Sequence, residues 1–307
     1  MNNLRSLWSN ARILVVGDVM LDIFKQGKIK RMNPEAPAAH LLDVENTLEC
    51  LGGAANIANN ARKLCSGVIL YGLLGNDAAG ERVRQLAQSA KIELHYYQDG
   101  RRTTTKTRCI ETSRYHQIAR VDEEDTHRIE EETAKEMADQ IKKDLTRVDA
   151  VILSDYNKGC FTKELSQEVI KECKKLGRPT LVDLKPVNIE LFRGCTLIRP
   201  NLAEAEIITG MKIKRMNGLA ESQELQEMCK KLKELAQSEY SLITCGKDGI
   251  ISMDKEGNFH FAHTEAKKIF DVTGAGDTVM AVLGLCFATG YKNRTLNMKE
   301  ATRVSNV

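Results

Sequence analysis

Seven residues, Asp271-Val272-Thr273-Gly274-Ala275-Gly276-Asp277, set glycines and carboxylates directly ahead of an apolar run from Thr278 to Leu285. The run reads as a helix buried on more than one side, so the glycines fall where a loop becomes a helix. Backbone N–H groups at a helix N-terminus are unpaired, and the helix dipole adds a partial positive charge. Gly274 and Gly276 let that backbone approach an anion with no Cβ in the way. Asp277 is harder to place, because a carboxylate beside a phosphate site repels the phosphate. A base that takes a proton from an attacking hydroxyl accounts for it better. An Asp that merely caps a Gly-rich turn is the plainer alternative, and the length of the string and the apolar helix behind it weigh against that. No Gly-Lys-Ser/Thr follows, so the string is not a P-loop.

The elements that must carry such a site alternate along the chain. Ile13 to Val16 reads as a buried strand ending at Gly17-Asp18, and Asp22 lies four residues on. Two carboxylates there can accept hydrogen bonds from neighbouring hydroxyls of a polyol, although a turn Asp and a surface Asp are the simpler reading of these two alone. Gly52 and Gly53 open a small-residue helix that carries Asn56 and runs to about Cys65. Such a turn can press backbone and an amide against a sugar, and close helix packing explains the same residues. Further strands are expected at 68–74, 92–97, 148–153, 180–182, 196–198 and 241–244, with helices between them. This rhythm argues for an α/β fold: a doubly wound, mostly parallel sheet with helices on both faces. Polar groups recur at the carboxyl ends of strands: Asp18, Asp155, Lys158, Asp183, Lys185, Asn201, Glu204 and Thr244. Eight on one edge mark that edge as the site.

Two segments break the rhythm. Residues 31–37 hold two prolines and cannot be helical, and 38–44 reads as a strand. Thr103 to Glu111 and Gln117 to Asp122 are polar-rich strands around a turn. Segments near 23–45 and 103–122 could together form a small second sheet, wet on one face, acting as a lid. The charged stretch 125–145 reads as a solvated helix. Near the end, a helix is expected from Met298 onward.

Composition narrows the classes. The 307 residues hold 45 Lys plus Arg against 42 Asp plus Glu, a formal net charge of only +3. That leaves no footprint for nucleic acid. A 42% hydrophobic fraction supports a substantial core. Nine scattered cysteines form no CxxC pair and read as reduced thiols of a cytoplasmic protein. No membrane association is expected, because neither a signal-peptide core nor an apolar run of spanning length is visible.

The string ending at Asp277 resembles the second signature of the ribokinase-like (PfkB) carbohydrate kinases, and Gly52-Gly53-Ala54-Ala55-Asn56 is similar to the first. The resemblance covers nearly the whole chain. It implies one kinase domain over 1–307 with the lid segments inserted in it, and a lid that often mediates a homodimer. Within the family, Gly17-Asp18-Val19-Met20-Leu21-Asp22, the 31–37 string, Ser154 to Gly159 and Arg199 to Glu204 look like the kinases that make heptose 1,7-bisphosphate for lipopolysaccharide precursors. The implied reaction is ATP-dependent phosphorylation of the anomeric hydroxyl of heptose 7-phosphate. Another sugar or sugar phosphate is the nearest alternative, and a non-catalytic sugar-binding regulator the next. A dinucleotide-binding dehydrogenase would need G-x-G-x-x-G after the first strand, which is absent.

Carried over by position, the resemblance implies that Asp277 is the base and that Gly274, Ala275 and Gly276 form the anion hole. Asp18, Asp22, Gly52, Gly53 and Asn56 would hold the sugar. Asn201 and Glu204 match the Asn-x-x-Glu motif acting on Mg²⁺ and phosphate, with Glu204 reaching the metal through water. Thr244, Gly246 and Gly249 would line the ATP groove, and a monovalent cation such as K⁺ is a further candidate. A substrate that already carries a phosphate needs a cationic subsite, for which Arg108, Arg120, Lys158 and Lys185 are candidates. Family chains usually run another helix or so beyond the point reached at Val307, closing the adenine side of the groove.

Overall fold

The computed structural model describes residues 6–36, 39–213, 222–264 and 274–306. Asp271, Val272 and Thr273 of the glycine string, Pro37 and Ala38 lie outside them.

The first strand shows why the chain folds as it does. β1 (Arg12–Gly17) carries Ile13, Leu14, Val15 and Val16, all fully buried. Side chains alternate across a strand, so Leu14 and Val16 enter one core while Ile13 and Val15 enter another on the opposite face. A strand buried on both faces needs helices on both sides of its sheet. Each fully buried aliphatic side chain of this kind contributes about 1.5–3 kcal/mol.

β1 lies inside a nine-stranded sheet, with two strands on one side and six on the other. It pairs in parallel with β4 (Gly67–Leu73) on one side, with β5 (Glu93–Tyr97) beyond it. On the other side lie β8 (Ala150–Ser154), β9 (Thr180–Asp183), β10 (Leu197–Ile198) and β11 (Tyr240–Thr244), also parallel. β12 (Ile250–Met253) and β13 (Phe259–Ala262) finish the sheet as antiparallel strands. Strand order therefore reverses about β1, and the carboxyl ends beside a reversal form a ligand crevice.

One face is covered by α1 (Ala54–Arg62), α2 (Ala78–Ser89), α7 (Ala275–Gly290) and α8 (Met298–Ser305). The other is covered by α3 (Glu131–Asp144), α4 (Lys163–Lys175) and α6 (Gln223–Ala236), with α5 (Leu202–Thr209) between β10 and α6. No helix among the described residues is long and apolar enough to cross a membrane.

A second sheet has the order β3 (His40–Gly53), β2 (Val19–Met32), β6 (Thr104–Glu111), β7 (His116–Glu123). Its strands outrun the sequence expectation. β3 is a strand through 45–53, and Asp22 lies inside β2 opposite Cys50. Residues 45–49 are exposed and, apart from Leu48, polar, so no core-facing alternation marks them. Pairing with β2 alone makes them a strand. The charged helix expected from 125 begins at Glu131. Upstream of it the chain is tied to the site loop instead, with the Ile129 N–H on the Gly159 carbonyl at 2.8 Å.

Candidate active site

The site starts at the N-terminus of α7. Gly274 is its N-cap residue, left-handed at φ 77°, and has no side chain with which to cap the first turn. A Cβ there would also lie 2.7 Å from Asn56 Nδ2. The first turn of α7, which includes Ala275 and Gly276, therefore has no side-chain cap. Asp277 follows in the same turn, buried at 6% exposure. Its carboxylate makes two long-range contacts. Asn56 Nδ2 of α1 donates to Oδ2 at 2.6 Å, and the Tyr156 hydroxyl donates to Oδ1 at 2.7 Å. Burial pushes the Asp277 carboxyl up, and the bonds from Tyr156 and Asn56 and the charge of Arg199 oppose that rise.

Asp277 opens on a cleft of about 140 Å³ walled by the loops after β8, β9 and β10, with Tyr156, Asp183, Lys185, Arg199 and Glu204 among its lining. Such a cleft suits a phosphoryl-sized group rather than a whole nucleotide.

Asp18 directly follows β1 and is already engaged. Its Oδ2 accepts the N–H groups of Tyr156 at 2.7 Å and Lys158 at 3.0 Å, and Oδ1 accepts that of Cys160 at 3.1 Å. An ionised carboxylate has about four lone-pair sites, so little capacity is left for a sugar hydroxyl. Asp18 instead folds the loop that aims Tyr156. Asp155 braces the same loop through the Asn157 N–H at 2.8 Å and Asn188 Nδ2 at 2.8 Å. The loop's left-handed residues, Asn157 at φ 58° and Gly159 at φ 91°, explain why it needs this bracing. Burial, with Asp155 nearby, pushes Asp18 up to about 6.

The second sheet closes one side. Asp22 on β2 accepts from Arg108 Nη1 on β6 at 2.6 Å. A Cβ on Gly52 would lie 2.5 Å from Asp22 Oδ2, and one on Gly53 (φ 56°) would lie 2.5 Å from the Asp18 carbonyl. The paired glycines therefore make room for Asp22 and for the turn that starts α1 and delivers Asn56. Lys106 pairs in register with Asp22 and holds Nζ 5.1 Å from the centre of the Tyr156 ring. Burial lowers its ammonium's proton affinity.

The four candidate cations divide. Arg108 sits on Asp22. Lys185 Nζ lies 2.6 Å from Glu204 Oε1 and 5.6 Å from the centre of the Tyr156 ring. Lys158 turns its ammonium to Glu124, and Arg120 pairs with Asp122 at 2.9 Å.

On the far side, Asn201 caps α5 in a reciprocal box. Its Oδ1 accepts the Glu204 N–H at 2.9 Å, and Glu204 Oε2 accepts the Asn201 N–H at 3.0 Å. Thr244 ends β11 and bridges to Asn201. Gly246 (φ 60°) and Gly249 (φ 95°) shape the next turn, outside the cleft, and a Cβ on Gly249 would lie 2.0 Å from the Ala262 carbonyl.

Sequence reasoning did not single out Tyr156, Lys106 or Arg199 as site residues, and it gave Asp183 no role beyond marking the sheet edge. Tyr156 and Arg199 stand inside strings that it did quote. Asp183 was visible as a strand-end carboxylate. Lys106 had no local signal, since only the β2–β6 register brings it to the site.

Sheet order, glycine turn and buried acid together define a ribokinase-like α/β kinase fold. A profile of the pfkB family of carbohydrate kinases matches residues 10–305, and the chain belongs to that family. It is 37% identical over 292 residues to the bifunctional protein HldE of Desulfatibacillum aliphaticivorans, covering 94% of this chain and 58% of that protein. The chain thus spans less than two thirds of that relative's length. Among solved structures, phosphofructokinase-2 from Escherichia coli in complex with potassium superposes with a TM-score of 0.75 at 16% identity, covering 97% of this chain and 90% of that one. Ribokinase from Arabidopsis thaliana, complexed with ribose and ATP, gives 0.69 at 18%, covering 94% and 89%.

Proposed function

We propose that the chain transfers the γ-phosphoryl group of ATP to the anomeric hydroxyl of heptose 7-phosphate, giving heptose 1,7-bisphosphate and ADP. The carrying observation is Asp277: a buried carboxylate with no ion pair among the described residues, held by Asn56 and Tyr156 beside the N-terminus of α7, which has no side-chain cap. Asp277 takes the hydroxyl proton as the oxygen bonds to the γ-phosphorus, while the bond from that phosphorus to the ADP oxygen breaks. The N–H groups of the α7 turn stabilise charge on the phosphoryl oxygens. The sugar lies against Asp22, Gly52, Gly53 and Asn56, under the second sheet. Arg108, Lys106 and Lys185 bear its existing phosphate, while Arg120 and Lys158 act from the rim. Asn201, Glu204, Thr244, Gly246 and Gly249 flank the nucleotide.

Glu204 and Asp183 are oxygen donors of the kind Mg²⁺ takes. Both oxygens of Glu204 already have protein partners, which favours reach through water. When bound, Mg²⁺ neutralises charge on the phosphates.

The heptose assignment is supported by the strings 17–22, 31–37, 154–159 and 199–204 and by the HldE relative. Residues 1–307 then act as one kinase domain, with the second sheet as its lid. That sheet exposes Val44, Leu48 and Val121 at 45–53%, which supports a homodimer formed through it and testable by light scattering. A cytoplasmic setting is supported by nine free thiols. An activating K⁺ is tested by exchange for Na⁺.

The deciding assay measures ADP release with Mg·ATP over heptose 7-phosphate, fructose 6-phosphate, ribose and fructose, with ³¹P NMR of the product. Turnover on heptose 7-phosphate with a new anomeric phosphate is expected. Turnover on another sugar alone would remove the heptose assignment and keep the kinase.

A further inference from the structure

The loop that carries Tyr156 is gripped in two ways. Asp18 and Asp155 hold it by its N–H groups, at Tyr156, Asn157, Lys158 and Cys160. Its carbonyls are held by other residues. The Lys158 carbonyl accepts from Arg101 Nη1 at 2.7 Å, and the Gly159 carbonyl accepts from the Ile129 N–H at 2.8 Å. Arg101 stands between β5 and β6, 57 residues from Lys158 in sequence, and is buried at 6% exposure. Its guanidinium is shared among several acceptors. Nε and Nη2 make a bidentate pair with Asp99 at 2.7 and 2.6 Å, and the Asp99 side chain is fully buried. Nη2 also donates to the His127 carbonyl at 3.0 Å. A Cβ on Gly159, whose φ is 91°, would lie 1.9 Å from that same carbonyl. The loop and the 127–129 segment are therefore pressed together, and one guanidinium holds a carbonyl of each.

The pair with Asp99 already gives the buried cation its counter-charge. The bonds to two carbonyls go beyond that need. A planar guanidinium fork fixes direction as well as distance. Lys158 is thus held at its N–H by the Asp18 carboxylate and at its C=O by a buried cation. Tyr156 lies in the same loop, and its hydroxyl must meet Asp277 Oδ1 at 2.7 Å. Arg101 is not part of the cleft lining, so its influence on the chemistry runs through the loop.

We propose that Arg101 is a positioning residue for Tyr156: braced by Asp99, it fixes the Lys158 carbonyl and with it the loop that delivers the Tyr156 hydroxyl to Asp277. Its effect on turnover rests on reading Asp277 as the base, whereas the placement of Tyr156 does not.

The test is a double-substitution cycle with Tyr156→Phe on the full chain. At a pH where Tyr156→Phe is slow, Arg101→Met should lower kcat about tenfold or more, as misplacement remote from the chemistry does, with the KM for ATP within a few fold. In the Tyr156→Phe background the same substitution should cost less than about twofold, because the hydroxyl it positions is already gone. An arginine that only stabilised the fold would cost the same in both backgrounds. Loss of Arg101 alone strands the buried Asp99 charge and destabilises the chain. Asp99→Leu/Arg101→Met removes both charges and should fold, and Arg101→Lys leaves Asp99 a counter-charge. Both should show the same pattern, the lysine more weakly. A second readout needs no turnover. The ¹³Cζ resonance of Tyr156, in tyrosine-labelled protein and assigned by Tyr156→Phe, should move in these variants toward that of the exposed Tyr115. An unmoved resonance in the folded variants, or equal losses of kcat in the two backgrounds, would overturn the proposal. If Asp277→Asn kept full turnover, the base would be lost, and the resonance would still decide whether Arg101 places Tyr156.

Discussion

Replacing Tyr156 by Phe removes one oxygen and leaves the ring. Lys106 and Lys185 keep their aromatic neighbour, and Asp18 keeps the backbone N–H of residue 156. What is lost is the 2.7 Å donation to Asp277 Oδ1. A hydrogen bond to a charged acceptor is worth about 1.5–3 kcal/mol, and one pKa unit corresponds to about 1.36 kcal/mol. The donor stabilises the ionised form, so its loss raises the proton affinity of Asp277 by about 1–2 units. Asn56 still holds Oδ2, which keeps the carboxylate in place. The acid limb of kcat/KM should therefore move about 1–2 pH units alkaline. Below that limb the rate should fall about 10- to 100-fold, recovering toward the wild-type plateau at high pH. The assay is coupled ADP release from pH 5 to 9, with melting curves as the check on folding. An acid limb at the wild-type pH in a folded variant would refute the assignment of Tyr156 as the residue that orients the base.

Other perturbations probe different walls. Gly52→Ala places a methyl 2.5 Å from Asp22 Oδ2 and 2.8 Å from Met20 Cγ; we expect the KM for sugar to rise about tenfold or more with the KM for ATP unchanged, read by initial rates. Arg108→Met removes a charge-assisted bond worth about 1.5–3 kcal/mol. It should cost about 10- to 100-fold in kcat/KM on a phosphorylated sugar and less on its unphosphorylated analogue. Stability should depend on pH with an unusual sign. Burial pushes Asp18 up to about 6 and Asp183 up to about 7, against an ordinary value of 3.8. Groups raised in the folded state give stability that is complete below the unfolded value and is lost as pH rises through the folded one. The unfolding free energy from urea melts without ligands should therefore fall as pH rises from about 4 to 7, by a few kcal/mol in total. A free energy that rises over that window would contradict the burial of these two acids.

Much of this architecture can be read from the chain because its strands are short, apolar and buried on both faces. Ile13 to Val16 announces itself in that way, and so does the rule that ligands meet the carboxyl ends of such strands. The glycine turn at 274–276 is legible because few other uses exist for two glycines and an acid ahead of a buried helix. Long-range pairing is not legible. Tyr156 and Asp277 are 121 residues apart, and nothing local to either names the other. Asp18 reads as a sugar ligand until the 156–160 backbone is seen to use its oxygens. The continuation of β3 beyond residue 44 escapes because an exposed ribbon carries no burial pattern. The register of β2 on β6 then decides that Lys106, rather than Lys158, points at the site.

The base is tested most directly by Asp277→Asn. Asparagine keeps the size of the side chain and an oxygen for the Asn56 or Tyr156 donor, and it cannot take a proton. With Mg·ATP and the preferred sugar, turnover should fall about 10²- to 10⁴-fold, the usual worth of general acid–base catalysis, while sugar affinity measured by calorimetry stays within a few fold. Turnover within a few fold of the wild type would mean that the proton leaves by another route and that the buried acid at the head of α7 is structural.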